Sequence, residues 1–438
     1  MNSGDYYLYE FFSVLEMKVR KWIHLINKYI QMESINLAPT LESYVNYLHF
    51  RLRDDYCLLR QNGLSKDAAI EILIKLPIPD KKDKHYFNFT ENLPQHVQKW
   101  TEILESFKGQ PVYYANITRM ASYLIPFIKR EKSDAILISD NIIALDSLGI
   151  PENITVMRFP DAKTRVCRND FLERNFPLFF SYINTILCLD QCIEPPVFYT
   201  VCGCQTQAKI WASICNSRGG DSVLFQHGWP AHIHTGFANM PYKKMVLWGK
   251  RFKDLWHHRN PLIEYSVGGY PYPVLKTGDH NCITFFLQEP YFVSSTNTLR
   301  RFYELIIDTA VNNPDLSIQY RLHPESKIDI ETKEKLNSLI NVLDVSNTPL
   351  EEVYASTKVA VSHYSSTIME CLVHGCIPLV FNPTPNWQYT PDLEAESIGY
   401  ISTSEHEFRT KLPFALNTDI PEHKIAEWYE PVSTLPTA

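Results

Sequence analysis

Three consecutive hydroxyl side chains, Ser365-Ser366-Thr367, stand between a run of buried-strand type, Val359–Val361, and a short apolar stretch that stops at Gly375. Hydroxyls and unused backbone N–H groups at the start of a helix, just past the carboxyl end of a strand, suit an anion such as a phosphate. A plainer reading competes with this one. Thr367-Ile-Met-Glu370 has the spacing of a capping box, and Gly375 suits the left-handed residue that closes a helix. Capping accounts for one hydroxyl and the glutamate, but not for three hydroxyls in a row. Ser365 and Ser366 are therefore the expected anion ligands. Thr367 and Glu370 complete the nucleotide-side set, chiefly as the cap, with ribose hydroxyls as the alternative for Glu370.

Three further constellations stand where strands end. In Arg321-Leu-His323-Pro324-Glu-Ser, the proline stops the strand and fixes a turn. His323 then sits at the sheet edge, where its imidazole can donate to a phosphate oxygen and Arg321 can add charge. The alternative is a His-Pro turn that only ends a strand. In Phe225-Gln-His227-Gly228-Trp-Pro, glycine permits close backbone approach, and His227 can serve as general base toward a hydroxyl. His232 and His234 follow, but no acidic residue shares the loop, so a metal site is not expected and a structural turn is the competing reading. Thr206, in Gly203-Cys-Gln-Thr206, can cap the next helix or bind an acceptor. Asp140, at the end of the strand before it, is a lesser acceptor-side candidate, and Gly268-Gly-Tyr-Pro271 reads as a bend between domains.

These residues need elements to hold them. The chain has 438 residues, too many for one ordinary core, with 45% hydrophobic and 21% charged side chains. A net charge of −7 argues against a general nucleic-acid partner. Ten scattered cysteines without paired CxxC spacing suggest a reducing, cytoplasmic setting rather than zinc. Residues 1–108 read as mostly helical, with candidates at 5–31, 40–62, 65–74 and 94–107 and Ser65 as an N-cap. From 109 to 272, strands alternate with helices. A Gly/Pro-rich break follows at 269–281, and a second alternating series fills 273–438. The expectation is an α/β chain of two doubly wound domains with a helical N-terminal extension. No signal peptide or membrane span is predicted, because acidic residues interrupt the first apolar stretch. Its aromatic and basic pattern fits a helix packed on its own domain; a peripheral membrane contact is the alternative.

In order, the pieces resemble the two-domain GT-B glycosyltransferases, in particular those that build bacterial capsule and lipopolysaccharide chains. The resemblance covers about 197–382. It rests on His227-Gly228, on the VLWGKRFKDLW…YSVGGYP stretch at 246–271, on RLHPES, and on SHYSSTIMECLVHGCIPLV. RLHPES and the serine motif are similar to those of sialyl- and polysialyltransferases. The resemblance implies a cleft between two Rossmann-like domains, with a nucleotide-sugar donor on the second and a glycan or glycolipid acceptor on the first. Arg321, His323, Pro324, Ser365 and Ser366 would hold the donor phosphate, and His227, Gly228, Thr206 and Asp140 would face the acceptor. It implies no cofactor and no bound metal, and CMP-linked sugars are the favoured donors. One departure is the lack of the acidic-Gly motif that many sialyltransferases use as base. Glycerol-phosphate polymerases combine a His-Gly loop with similar His-Pro and Ser-Ser motifs, so a CDP-polyol phosphotransferase is the alternative. A non-catalytic member of a polysaccharide assembly complex is a third reading, and a sugar-nucleotide epimerase a fourth.

Overall fold

The computed structural model describes residues 3–27, 52–77, 108–139, 148–158, 197–228, 237–275, 280–288, 296–323, 328–363, 365–383 and 391–430, with short pieces at 48, 88–89, 102, 105, 167–168, 170–175 and 326. Asp140, Pro324, His232, His234 and nearly all of the predicted 94–107 helix lie outside the described residues.

The first sheet contains β1 (Val112–Ala115), β2 (Ala135–Ser139), β3 (Ile154–Arg158), β4 (Val197–Thr200), β5 (Asp221–Phe225), β6 (Lys244–Leu247) and β7 (Glu264–Val267). They lie in the order β3-β2-β1-β4-β5-β6-β7, every pair parallel. The second contains β8 (Cys282–Phe286), β9 (Ser317–Arg321), β10 (Val342–Asp344), β11 (Thr357–Ser362), β12 (Ile377–Phe381) and β13 (Tyr400–Ser402). Its order is β10-β9-β8-β11-β12-β13, again all parallel. Strands such as Ala-Ile-Leu-Ile-Ser and Ile-Pro-Leu-Val-Phe are buried along their whole length, as parallel strands covered on both faces must be. Each sheet is doubly wound, running outward from its central strand one way and then the other. The chain is thus α/β, with two doubly wound, Rossmann-like units and helices ahead of them.

The N-terminal helix Ser3–Asn27 buries Phe11, Phe12, Val14, Leu15, Val19 and Trp22, a spacing that puts them on one stripe. That stripe joins the first unit's core. Arg60 and the Tyr56 hydroxyl donate to Glu10, and Arg259 pairs with Glu16 at 3.3 Å. The apolar face is spent on the protein itself, while Met17 and Leu25 are exposed. No helix among the described residues is long and apolar enough to cross a membrane. The expected N-cap holds, since Ser65 Oγ accepts from Ala68 N at 3.2 Å.

At its other end the chain returns to the first unit. After the helix Glu405–Leu416 covers the second sheet, Glu422–Trp428 packs beside Gly249 and Phe252. Arg251 N donates to Glu427 O (3.1 Å), Glu430 N to Trp248 O (3.0 Å) and Tyr270 N to Glu430 O (3.2 Å). Trp248, Phe252, Tyr270, Trp428 and Tyr429 form one aromatic cluster. The Arg251 guanidinium also pairs with Glu396 of the second unit.

Candidate active site

The two sheets meet across a cavity of about 440 Å³. From the first unit, Met120 and Tyr123 come from the helix after β1, His227 and Gly228 from the end of β5, and Trp256 from the helix after β6; Phe237 completes this wall. From the second unit come Phe286–Gln288 after β8, Arg321–His323 at the end of β9, Leu350, and Ser365–Thr367 after β11. β8 and β11 are neighbours on which the winding reverses, and ligands of open α/β sheets bind outside the carboxyl ends at such a point. The structure therefore brings His227, Gly228, Arg321, His323, Ser365, Ser366 and Thr367 to one cavity. Thr206 is not in its lining.

The serine turn departs from the expected capping box. The N-cap position is Ser366, in helical conformation and without a side-chain cap bond. Ser365 supplies the bonds instead. Its Oγ accepts from Thr367 N (3.3 Å) and from Thr367 Oγ1 (2.7 Å). A hydroxyl has two lone pairs and one hydrogen, so what Ser365 retains is an O–H donor. Glu370 is not available to reach back to a backbone N–H, because its carboxyl is buried and accepts the Tyr270 hydroxyl at 3.0 Å. Burial pushes that carboxyl up to about 7, against the pull of hydrogen bonds from Tyr270 and Ser366. The helix continues as a tighter turn over Cys371–His374 and closes at Gly375, with φ of 85°, as its sequence predicts. Thr206 also differs from expectation. It is the first residue of the helix Thr206–Ser217, and the N-cap is Gln205 without a side-chain bond.

Arg321 lines the cavity with part of its guanidinium committed, because Nη1 donates to Val345 O (2.9 Å) and Thr348 O. Burial draws its pKa below the usual value, yet it stays the cation of this wall. His323 stands two residues on, and its carbonyl accepts Ser326 N at 2.8 Å. His227 faces the ring of Tyr123, centroids 5.7 Å apart. Gly228 meets the second unit, since a Cβ built there would lie 3.4 Å from Ser366 Cβ. The proton-accepting and anion-binding candidates thus stand on opposite walls that touch.

Two contributors were not read from the sequence. Gln226 is buried; its Nε2 donates to Gly228 O (2.9 Å) and its Oε1 accepts Trp248 N (3.0 Å). One amide therefore clamps the His-Gly turn to the end of β6. Its only sequence signal is a polar residue immediately after a buried strand. The aromatic wall of Tyr123, Phe237 and Trp256 belongs to three separate segments, and no local pattern joins them. No group of three or more His, Cys, Asp or Glu among the described residues could hold a metal ion.

No family model matches the sequence, and no curated protein matches it. Solved structures that align with it include a UDP-GlcNAc 2-epimerase from Methanocaldococcus jannaschii in complex with UDP-GlcNAc and UDP. It is 11% identical, covers 73% of this chain and 97% of that one, and has a TM-score of 0.49. The glycotransferase of kitacinnamycin aligns at 12% identity over 73% and 93%, with a TM-score of 0.49. A variant of the wall teichoic acid polymerase TagF aligns at 12% over 77% and 90%, with a TM-score of 0.44. Likeness at this level carries no argument about chemistry, and the fold rests on the two sheets themselves.

Proposed function

We propose that the protein is a metal-independent glycosyltransferase that moves a sugar from a nucleotide-activated donor to a surface-polysaccharide acceptor. The observation that carries this reading is the meeting of His227 with His323, Ser365 and Ser366 in one interdomain cavity. The donor lies on the second unit, taken as 273 onward, with its phosphate against Ser365, Ser366, His323 and Arg321. The acceptor lies on the first unit, beside His227 and the aromatic wall. The acceptor oxygen attacks the anomeric carbon, and its proton passes to the His227 imidazole. The bond from that carbon to the nucleotide phosphate breaks, and the electron pair leaves on phosphate oxygen. Fixed O–H and N–H donors and the Arg321 charge stabilise that oxygen without reorganising. CMP-sugars are the favoured donors. Calorimetric titration with CMP, CDP and UDP tests the reading, with binding of at least one expected; binding of none refutes it.

A second reading is favoured by the pairing of His227-Gly228 with the absence of an acidic-Gly motif in the sequence. Here the donor is a CDP-polyol and attack falls on phosphorus. Product analysis separates the two, because a phosphodiester linkage supports this reading and a glycosidic bond removes it.

A further inference from the structure

Phe225 closes β5, and the ladder continues through Gln226 N to Val246 O at 3.0 Å before His227. Phe225 and His227 are thus separated by about 6.6 Å of extended chain and share one side of it. Tyr123 and Phe127 stand four residues apart on the helix Thr118–Ile128, about 6 Å along its axis and on one face. β1 and β2 are parallel, so the helix that joins them runs back against the strand direction. The two rows therefore meet in register. Phe127 stacks on Phe225, with centroids 3.8 Å apart and planes at 12°, and Tyr123 comes to His227, with centroids 5.7 Å apart and planes at 40°. Phe225 stacks in turn on Tyr199 of β4 at 5.6 Å. Tyr123 is also held by the linker after β7, where Tyr272 packs edge-on at 5.6 Å and donates from Oη to Tyr123 O at 3.5 Å.

A neutral imidazole that takes the acceptor's proton gains a full positive charge. Among the described residues, the other titratable or charged groups lining this cavity are Tyr123 itself and, on the opposite wall, Arg321 and His323. Tyr272, packed on Tyr123, is pushed well up by burial and is neutral. Arg321 is a cation, so a second positive charge across the same partly desolvated cavity is disfavoured. No carboxylate among the described lining residues offsets it. An aromatic ring does stand beside His227, and its electron-rich face attracts a cation within about 6 Å of the centroid. We propose that Tyr123 is a positioning residue for His227: its ring fixes the imidazole in the cavity and stabilises the imidazolium that forms when the acceptor's proton arrives. The ring carries this role, not the hydroxyl, and the inference rests on the reading of His227 as the acceptor's base.

The test follows the titration of His227 by NMR in protein with labelled histidine, the resonance being assigned by its loss in His227→Ala. Tyr123→Phe keeps the ring and is expected to titrate as wild type does. Tyr123→Leu removes the ring and is expected to titrate about half a pH unit lower or more, because the cation loses its partner and the neutral form does not. Tyr123→Met serves in the same way if Tyr123→Leu does not fold. Equal titration in wild type and the variant without a ring overturns the inference, as does a shift in Tyr123→Phe as large as that in Tyr123→Leu. Calorimetry with CMP, CDP and UDP on the same samples keeps the two readings apart. Nucleotide binding with an unmoved titration removes the role of Tyr123 and leaves the proposed function standing. Binding of none removes the proposed function, whatever the titration shows.

Discussion

Gly249→Ala is a severe test of how the chain's end is attached. A Cβ at 249 would lie 2.2 Å from Trp428 O, 2.3 Å from Trp428 C and 2.9 Å from Glu427 O. All three atoms are backbone, so no side chain can swing aside. Ordinary contact lies at about 3.5 Å, so the segment must retreat by roughly 1 Å. Its three backbone hydrogen bonds to Trp248, Tyr270 and Arg251 already measure 3.0–3.2 Å, and a retreat of that size breaks them. At about 1 kcal/mol each, they account for about 3 kcal/mol. Partial loss of packing at Trp428 and Tyr429, 2% and 4% exposed, adds to that. Urea unfolding should show destabilisation of about 3–5 kcal/mol, with the C-terminal segment newly open to protease. A change below about 1 kcal/mol with an unchanged digest would refute the reasoning.

Other outcomes are expected. His323→Ala should lower kcat by about 10- to 100-fold with little change in melting temperature, because it lines an open cavity; near-wild-type turnover removes its phosphate role. Glu370 has a folded-state pKa raised above its unfolded value. Its neutral form therefore supports the fold fully below about pH 4.5, and that support is lost as pH rises through about 7. Carrying the carboxyl from 4.5 to about 7 corresponds to about 3 kcal/mol, so denaturant midpoints of wild type should fall relative to Glu370→Gln between about pH 5 and 8, and parallel curves would contradict this. Gln226→Ala should cost about 1–3 kcal/mol, since Trp248 N loses its buried acceptor, and should weaken acceptor use more than nucleotide binding. Equal loss of both would speak against the clamp.

Much of the architecture was legible because parallel strands buried on both faces leave long apolar runs. Val112–Ala115, Ala135–Ser139 and Ile377–Phe381 are such runs, and each is a strand. The elements not foreseen are short or polar. β7 is Glu-Tyr-Ser-Val on the sheet's edge, with no fully buried residue, and β13 has three residues. The meeting of His227, His323 and the serines was legible only through the rule that ligands gather at the carboxyl ends of parallel strands. Local spacing misplaced Glu370, since a Thr-x-x-Glu pattern reads alike whether the carboxylate reaches back along its helix or is captured by a tyrosine 100 residues away. The return of Glu422–Trp428 to the first unit is a tertiary pairing with no periodic signature.

That return has a consequence for biosynthesis. Trp248 and Phe252 are translated about 180 residues before Trp428 and Tyr429, which cover them. At 5–20 residues per second, the first unit waits roughly 10–40 s with an aromatic face uncovered while the second unit is made. The ribosome thus delivers a nearly complete domain whose closing piece arrives last, and chaperones and premature self-association compete for that face in the interval.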